Sequence, residues 1–221
     1  MQPLIIFDLD GTLVDSLPAI FAHCTAAIAE VCLTPPTFSQ REVRTWVGEG
    51  ASHLLAQALA HTRGEPATAE QVAHARTHFL RHYEREPHAH TTPYPGIADM
   101  LQTLQPHYAL AVLSNKPHHL TQAIVTALFP TIAFRAVAGE RPTMPRKPDP
   151  ASAVNIAQQT LHRGAWFVGD SDIDIQTGQR ASMQTVAVTW GMRDRQSLVA
   201  AAPTIICDSV AQLQTWFANL H

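Results

Sequence analysis

Four aspartates, two lysines, a serine and an asparagine, scattered along the chain, have the chemistry to handle a phosphoryl group. Asp8 and Asp10 stand two positions apart in Asp8-Leu9-Asp10-Gly11-Thr12, so on an extended chain both side chains point to one face. Ser114-Asn115-Lys116, Lys147-Pro148 and Gly169-Asp170-Ser171-Asp172-Ile173-Asp174 follow in that order. Asp8, Asp10, Asp170 and Asp174 gathered in a cleft of reduced dielectric would repel one another, and they are tolerable only with cations among them. Carboxylate oxygens select Mg²⁺, which keeps several waters and takes phosphate as a co-ligand. Lys147 adds a further positive charge. A carboxylate is already ionised at neutral pH, so Asp8 can attack phosphorus without an activating base. Asp10 can protonate the leaving oxygen and then deprotonate the water that hydrolyses the acyl-phosphate. Gly11 permits a sharp turn and a close backbone approach to a ligand.

Of 15 basic residues only Lys116 and Lys147 are lysine. Lysine is a compact point charge and arginine a planar fork, so these two positions are where a task specific to an ammonium is expected. Other polar residues near the motifs have plainer readings. Asp15 and Ser16 are expected to cap the next helix, Asp149 to cap another, Asp172 to sit in a solvated loop and His118–His119 to lie on the surface.

For these groups to meet, the chain must fold into strands that end together. Leu4–Phe7, Ala109–Leu113, Ala165–Val168 and Thr185–Thr189 read as buried parallel strands, with Ala133–Ala138 and Thr204–Cys207 as two more. Ile97, Met100, Leu101 and Leu104 keep helical spacing, as do Leu120, Ile124 and Leu128, and Asp149-Pro150 is a helix start. Strands alternating with helices give an α/β fold, a Rossmann-like doubly wound parallel sheet. In such sheets ligands bind beyond the carboxyl ends of the strands, where all four motifs fall. From Leu17 to Thr92 the alternation stops. This stretch carries helical spacing such as Leu54, Leu55, Ala58 and Leu59, is cut by Pro35-Pro36 and Gly64-Glu65-Pro66, and ends in the stiff Thr91–Gly96 segment. The expected organisation is a discontinuous core of residues 1–16 and 93–221 with an α-helical module of residues 17–92 inserted after the first strand.

Composition excludes several classes. The 221 residues are 46% hydrophobic and 15% charged with a formal charge of −3, so no basic surface calls for nucleic acid. No apolar run approaches the roughly 20 residues of a membrane span, and the N-terminus reads as no secretory signal. Cys24, Cys32 and Cys207 are an odd set without paired spacing and read as small apolar side chains of a reducing cytoplasm. Eight of the 13 histidines fall in the helical stretch. His88-Ala-His90 lacks a carboxylate or Cys partner, and His74, His78 and His82, spaced i, i+4, read as a solvated polar face.

The four motifs, in this order and over essentially the whole chain, resemble the haloacid dehalogenase-like hydrolase superfamily, in its phosphatase branch with a helical cap inserted after the first strand. Thr45-Trp46-Val47-Gly48-Glu49-Gly50, Tyr94-Pro95-Gly96 and Ser114-Asn115-Lys116-Pro117 are similar to bacterial phosphoglycolate phosphatases. The resemblance implies Asp8 as nucleophile and Asp10 as general acid and base. Ser114 and Asn115 would bind the transferring phosphoryl group, and Lys147 would neutralise charge between Asp8 and phosphate. Mg²⁺ would be held by the Asp8 side chain, the Asp10 carbonyl and the Asp170 side chain, with Asp174 orienting metal-bound water. Leu9, Gly11, Thr12 and Lys116 are placed at the phosphate or substrate. Gly48-Glu49-Gly50 looks like the cap loop that would dip toward the site and set selectivity, with Arg44 and Trp46 just before it. The implied activity is a cytoplasmic Mg²⁺-dependent phosphomonoesterase, monomer or homodimer, acting on a small phosphorylated metabolite. Phosphoglycolate comes first, with pyrophosphate, sugar phosphates, 5′-nucleotides and a β-phosphoglucomutase-like transfer as alternatives. A phospho-Asp signalling receiver has similar parts, but Asp10 as a proton source would hydrolyse the phosphoenzyme faster than a switch tolerates.

Overall fold

The computed structural model describes residues 2–160 and 164–220. The chain divides into two compact units, Met1–Asp15 with Thr92–His221, and Ser16–Thr91.

The first unit is built on β1 (Leu4–Phe7), whose four residues are all buried. A short β2 (Val14–Asp15) follows. The second unit holds α1 (Leu17–Val31), α2 (Gln40–Trp46), α3 (Ala51–Arg63) and α4 (Ala69–Arg85). The chain then returns to the first unit through β3 (Thr92–Pro93), α5 (Ile97–Leu104), β4 (Ala109–Pro117), α6 (His118–Leu128), β5 (Ala136–Glu140) and α7 (Ala151–Thr160). It finishes with β6 (Ala165–Gly169), α8 (Asp172–Arg180), β7 (Gln184–Val188), α9 (Arg195–Ala200), β8 (Ile205–Cys207) and α10 (Val210–Ala218).

Six strands form one sheet in the order β5-β4-β1-β6-β7-β8, every pairing parallel. β1 pairs Leu4–Phe7 with Ala109–Val112 on one side and with Ala165–Val168 on the other. The chain builds outward from β1 to β4 and β5, then crosses back to β6 and builds the other way. The order therefore reverses beside β1, the place where an open α/β sheet leaves a crevice at its carboxyl edge. Burial on both faces accounts for the unbroken apolar runs of β1 and of the first half of β4. In α5 the expected stripe of Ile97, Met100, Leu101 and Leu104 is buried.

Several elements differ from the sequence expectation. β4 runs to Pro117, because beyond a register shift Pro117 pairs with Glu140, so Ser114, Asn115 and Lys116 belong to a strand and not to a loop. β5 starts at Ala136 where Ala133 was expected: the Phe134 N–H turns back to the Ile132 carbonyl, and strand bonding begins only with Arg135 N–H to Leu110. The segment read as a stiff linker contains β3, antiparallel to β2 with Val14 opposite Pro93 and Asp15 opposite Thr92. Asp15 thus lies in a strand. Ser16 stands at the N-cap of α1, yet its hydroxyl makes no capping bond. Asp172 lies in the first turn of α8, not in a loop.

In the second unit, capping boxes at Ser39–Glu42 and Thr68–Gln71 start α2 and α4. Gly64, left-handed at φ 75°, ends α3 with its N–H on the Ala60 carbonyl. α4 buries Ala75, Phe79 and Tyr83 on one stripe, and Tyr83 meets the His23 ring at 4.3 Å. Trp46 packs edge-on against Phe38 at 5.5 Å. Cys24 and Cys207 are buried, Cys32 is half-buried, and all three are free. Among the described residues no helix is long and apolar enough to cross a membrane.

Candidate active site

Asp8 follows the last residue of β1, and its N–H is fixed by the Val168 carbonyl of the neighbouring β6. Beyond it the chain winds into a tight turn. The Leu9 carbonyl accepts from the Thr12, Leu13 and Val14 N–H groups, and the Gly11 N–H returns to Val14. The Leu9 side chain is fully buried, so its part in the site is to anchor this turn. Gly11 sits at φ +89°, and a Cβ there would run into the Asp170 carboxylate. Both the backbone angle and the close approach require glycine.

Lys147 is the hinge of the electrostatics. It comes from the β5–α7 connection, is 6% exposed, and places Nζ 2.7 Å from Asp8 Oδ1 and 2.6 Å from Asp174 Oδ1. Its backbone is held by Asn115, whose amide donates to the Lys147 carbonyl at 3.0 Å and accepts from the Lys147 N–H at 2.9 Å. The Asn115 amide, expected on the phosphoryl group, is thus used to position Lys147. Ser114 Oγ, also buried, accepts the Lys116 N–H at 3.1 Å. Lys116 is 8% exposed and reaches Asp10 with Nζ 3.2 and 3.4 Å from the two carboxylate oxygens. Both lysines of the chain are therefore buried ion-pair partners of the Asp8-Leu9-Asp10 motif.

Asp170 and Asp174 come from the β6–α8 junction. Asp174 closes a capping box with Ser171, accepting the Ser171 hydroxyl at 2.6 Å and its N–H at 3.1 Å. Asp170 accepts the Thr12 hydroxyl at 3.2 Å and the Met192 N–H at 2.5 Å. Thr12, expected at the phosphate, thus orients Asp170. Asp8, Asp170 and Asp174 offer oxygens that all lie within 4.8 Å of one another. Burial pushes the Asp8 carboxyl well up despite Lys147, with Asp174 and Asp170 adding to the rise, so the ready ionisation expected of a free carboxylate does not hold here without a further cation beside Lys147. Burial, then Asp174, raises Asp170 to about 7. Burial alone would push the Lys147 ammonium down, but Asp174 and Asp8 outweigh it and hold it above its usual range. Three buried carboxylates against one ammonium leave a deficit of positive charge, and an all-oxygen donor set of this kind fits Mg²⁺. Asp8, Asp170 and Asp174 could hold that ion. The Asp10 carboxylate stands outside the group, on Lys116.

Sequence reasoning missed the loop after β7. Trp190 donates its indole N–H to the Thr12 carbonyl at 3.1 Å, and a Cβ on Gly191 would strike the Asp170 carboxylate and the Gly11 carbonyl. The Gly-Met pair had no charged residue to draw attention, since its contribution is a backbone N–H and an absent side chain. Of the residues expected to be surface, His118 is half-buried and accepts the Gly139 N–H at 3.2 Å. Arg44, Gly48, Glu49 and Gly50 belong to the second unit, Arg44 in the last turn of α2 and the Gly48-Glu49-Gly50 turn between α2 and α3. Gly48 and Gly50 have φ 122° and 88°, and Glu49 lies 3.6 Å from His53 one turn along.

Comparison with known proteins places these residues in a family. A family profile described as haloacid dehalogenase-like hydrolase matches residues 5–188. A Cereibacter sphaeroides protein named phosphoglycolate phosphatase is 34% identical over 193 residues, 87% of each chain. A Pseudomonas putida protein of the same name is 33% identical over 217 residues, 95% of this chain and 78% of that one. A solved structure from Lactobacillus delbrueckii subsp. bulgaricus superposes with a TM-score of 0.87 at 29% identity, over 98% of both chains.

Proposed function

The chain belongs to the haloacid dehalogenase-like hydrolase family, and from that premise we propose that it is a Mg²⁺-dependent phosphomonoester hydrolase. In this reading it acts in the cytoplasm on a small phosphorylated metabolite, 2-phosphoglycolate first. The observation that carries the proposal is the convergence of Asp8, Lys147, Asp170 and Asp174 at the carboxyl edge of the sheet, with Asp10 beside them on Lys116.

In the proposed reaction an Asp8 carboxylate oxygen forms a bond to phosphorus while the bond from phosphorus to the ester oxygen breaks. Asp10 gives its proton to that departing oxygen. The same carboxylate then takes a proton from water as the water oxygen attacks phosphorus of the aspartyl-phosphate, releasing inorganic phosphate and restoring Asp8. Lys147 offsets the charge of Asp8 facing an anionic substrate. Ser114 contributes a hydroxyl, and Asn115 acts by holding Lys147 in place. Asp8, Asp170 and Asp174 would hold Mg²⁺, which would supply Lewis-acid charge stabilisation at the phosphoryl oxygens. The helical unit would act as a cap, with Arg44 and the Gly48-Glu49-Gly50 turn as its selectivity residues. The names of relatives at 33–34% identity support the choice of phosphoglycolate.

A panel of phosphoglycolate, a sugar phosphate, a 5′-nucleotide and pyrophosphate, assayed with and without Mg²⁺, tests the reading. Metal-dependent release of phosphate with the highest kcat/KM on phosphoglycolate is expected. Turnover of another ester at higher kcat/KM would move the substrate, and no phosphate release from any of them would end the proposal.

A further inference from the structure

The helical unit carries a second cluster of metal-ligating groups. Glu30, near the end of α1, receives three side chains of α4: His78 and Arg81 on one carboxylate oxygen and His82, at 2.8 Å, on the other. The expected solvated polar face is therefore an interhelical clasp, and the His78 and His82 side chains are each only 19% exposed. Arg81 Nη2 and His78 Nδ1 lie 2.9 Å apart because both are donors converging on the same Glu30 oxygen. With Nδ1 carrying its proton toward Glu30, the lone pair of His78 is on Nε2. That nitrogen faces His74, Nε2 to Nε2 at 3.1 Å.

We propose that His74 and His78 together bind one borderline transition cation of the Zn²⁺ class. Two imidazole nitrogens on one tetrahedral Zn²⁺ at ~2.0–2.1 Å stand roughly 3.4 Å apart, close to the observed separation. A carboxylate on the far nitrogen of a ligating histidine fixes its tautomer and raises its basicity, which is the position Glu30 occupies behind His78. His74 is exposed, so the cation can enter from solvent. Glu70, one turn earlier on α4, lines an open depression together with His74. Imidazole nitrogen suits Zn²⁺, Ni²⁺ and Cu²⁺, whereas Mg²⁺ prefers oxygen, so this site and the carboxylate group on the sheet call for different ions.

Equilibrium dialysis of the full chain against micromolar Zn²⁺, with Mg²⁺ in large excess, tests this. The parent is expected to take up one zinc per chain. His74→Asn and His78→Asn each abolish that uptake, Glu30→Gln weakens it about 10–100-fold, and His88→Asn leaves it unchanged. With Cu²⁺ in place of Zn²⁺, electron paramagnetic resonance is expected to show splitting from two imidazole nitrogens. Thermal unfolding of each variant shows that it is folded. No uptake by the parent, or uptake that survives His74→Asn, would leave the 3.1 Å contact as an N–H···N hydrogen bond and overturn the proposal. Uptake that vanishes in Asp170→Asn would overturn it by assigning the zinc to the carboxylates.

Discussion

Lys116 reaches across 106 positions of the chain to set its Nζ 3.2 Å from Asp10 Oδ1. In the proposed chemistry this pair fixes where the proton carrier stands, and Lys116 is a positioning residue for Asp10. Lys116→Met is expected to lower kcat by at least about 10-fold with a smaller change in KM. That is part of the 10²–10⁴-fold typical of general acid–base catalysis, which Asp10→Asn would remove in full. Lys116→Arg should not restore it, since a planar fork does not replace a buried point charge. Steady-state kinetics of the three variants decide the matter: an unchanged kcat in Lys116→Met would remove the role.

Gly11 offers a test of the turn itself. Gly11→Ala places a Cβ into the Asp170 carboxylate and forces alanine to φ +89°. Strain of about 1–3 kcal/mol is expected. The larger effect should be on activity, with kcat/KM falling roughly 10²-fold as Asp170 shifts. Chemical denaturation read beside kinetics separates the two effects. A variant that loses stability but keeps its activity would show that Asp170 does not need its present place.

Metal binding at Asp8, Asp170 and Asp174 can be read without an assay of turnover. Mg²⁺ at about 100 times its dissociation constant should stabilise the protein by about 2.7 kcal/mol, seen as a rise in Tm that a chelator reverses. Asp170→Asn should lose that rise. A parent whose Tm is indifferent to Mg²⁺ would count against the carboxylate group as a metal site.

Acid stability reports on the clasp between α1 and α4. The Glu30 carboxyl is held at about 2, below its usual 4.5, first by His78. A depressed carboxyl contributes stability that is present above pH 4.5 and is lost as pH falls through about 2. Glu30→Gln should therefore lose less stability than the parent on going from pH 4.5 to 2. Identical acid-unfolding curves would show that the clasp does not hold in solution.

The motifs and the sheet were legible because the Asp8, Ser114 and Asp170 motifs each directly follow an apolar run, and parallel strands buried on both faces announce themselves as such runs. The pairing of Lys116 with Asp10 was half legible: two lysines among 13 arginines marked the positions, but no spacing rule links residues 106 apart. The second half of β4 was not legible, since Ser-Asn-Lys-Pro reads locally as a loop, and its strand character comes from the pairing of Pro117 with Glu140. Gly191 and Met192 act through backbone alone, which sequence type does not encode. The histidines of α4 were visible as a stripe, but their partner Glu30 lies on another helix.

The bond from Asp8 to phosphorus is the step on which every other residue role in the proposed reaction depends. Rapid quench of the enzyme during turnover, followed by mass spectrometry of its peptides, tests this most directly. A phosphoryl group on the peptide containing Asp8, absent from an inactive Asp8→Asn variant, is the predicted result. Full turnover by Asp8→Asn, with no phosphoryl group on that peptide in the parent, would contradict it.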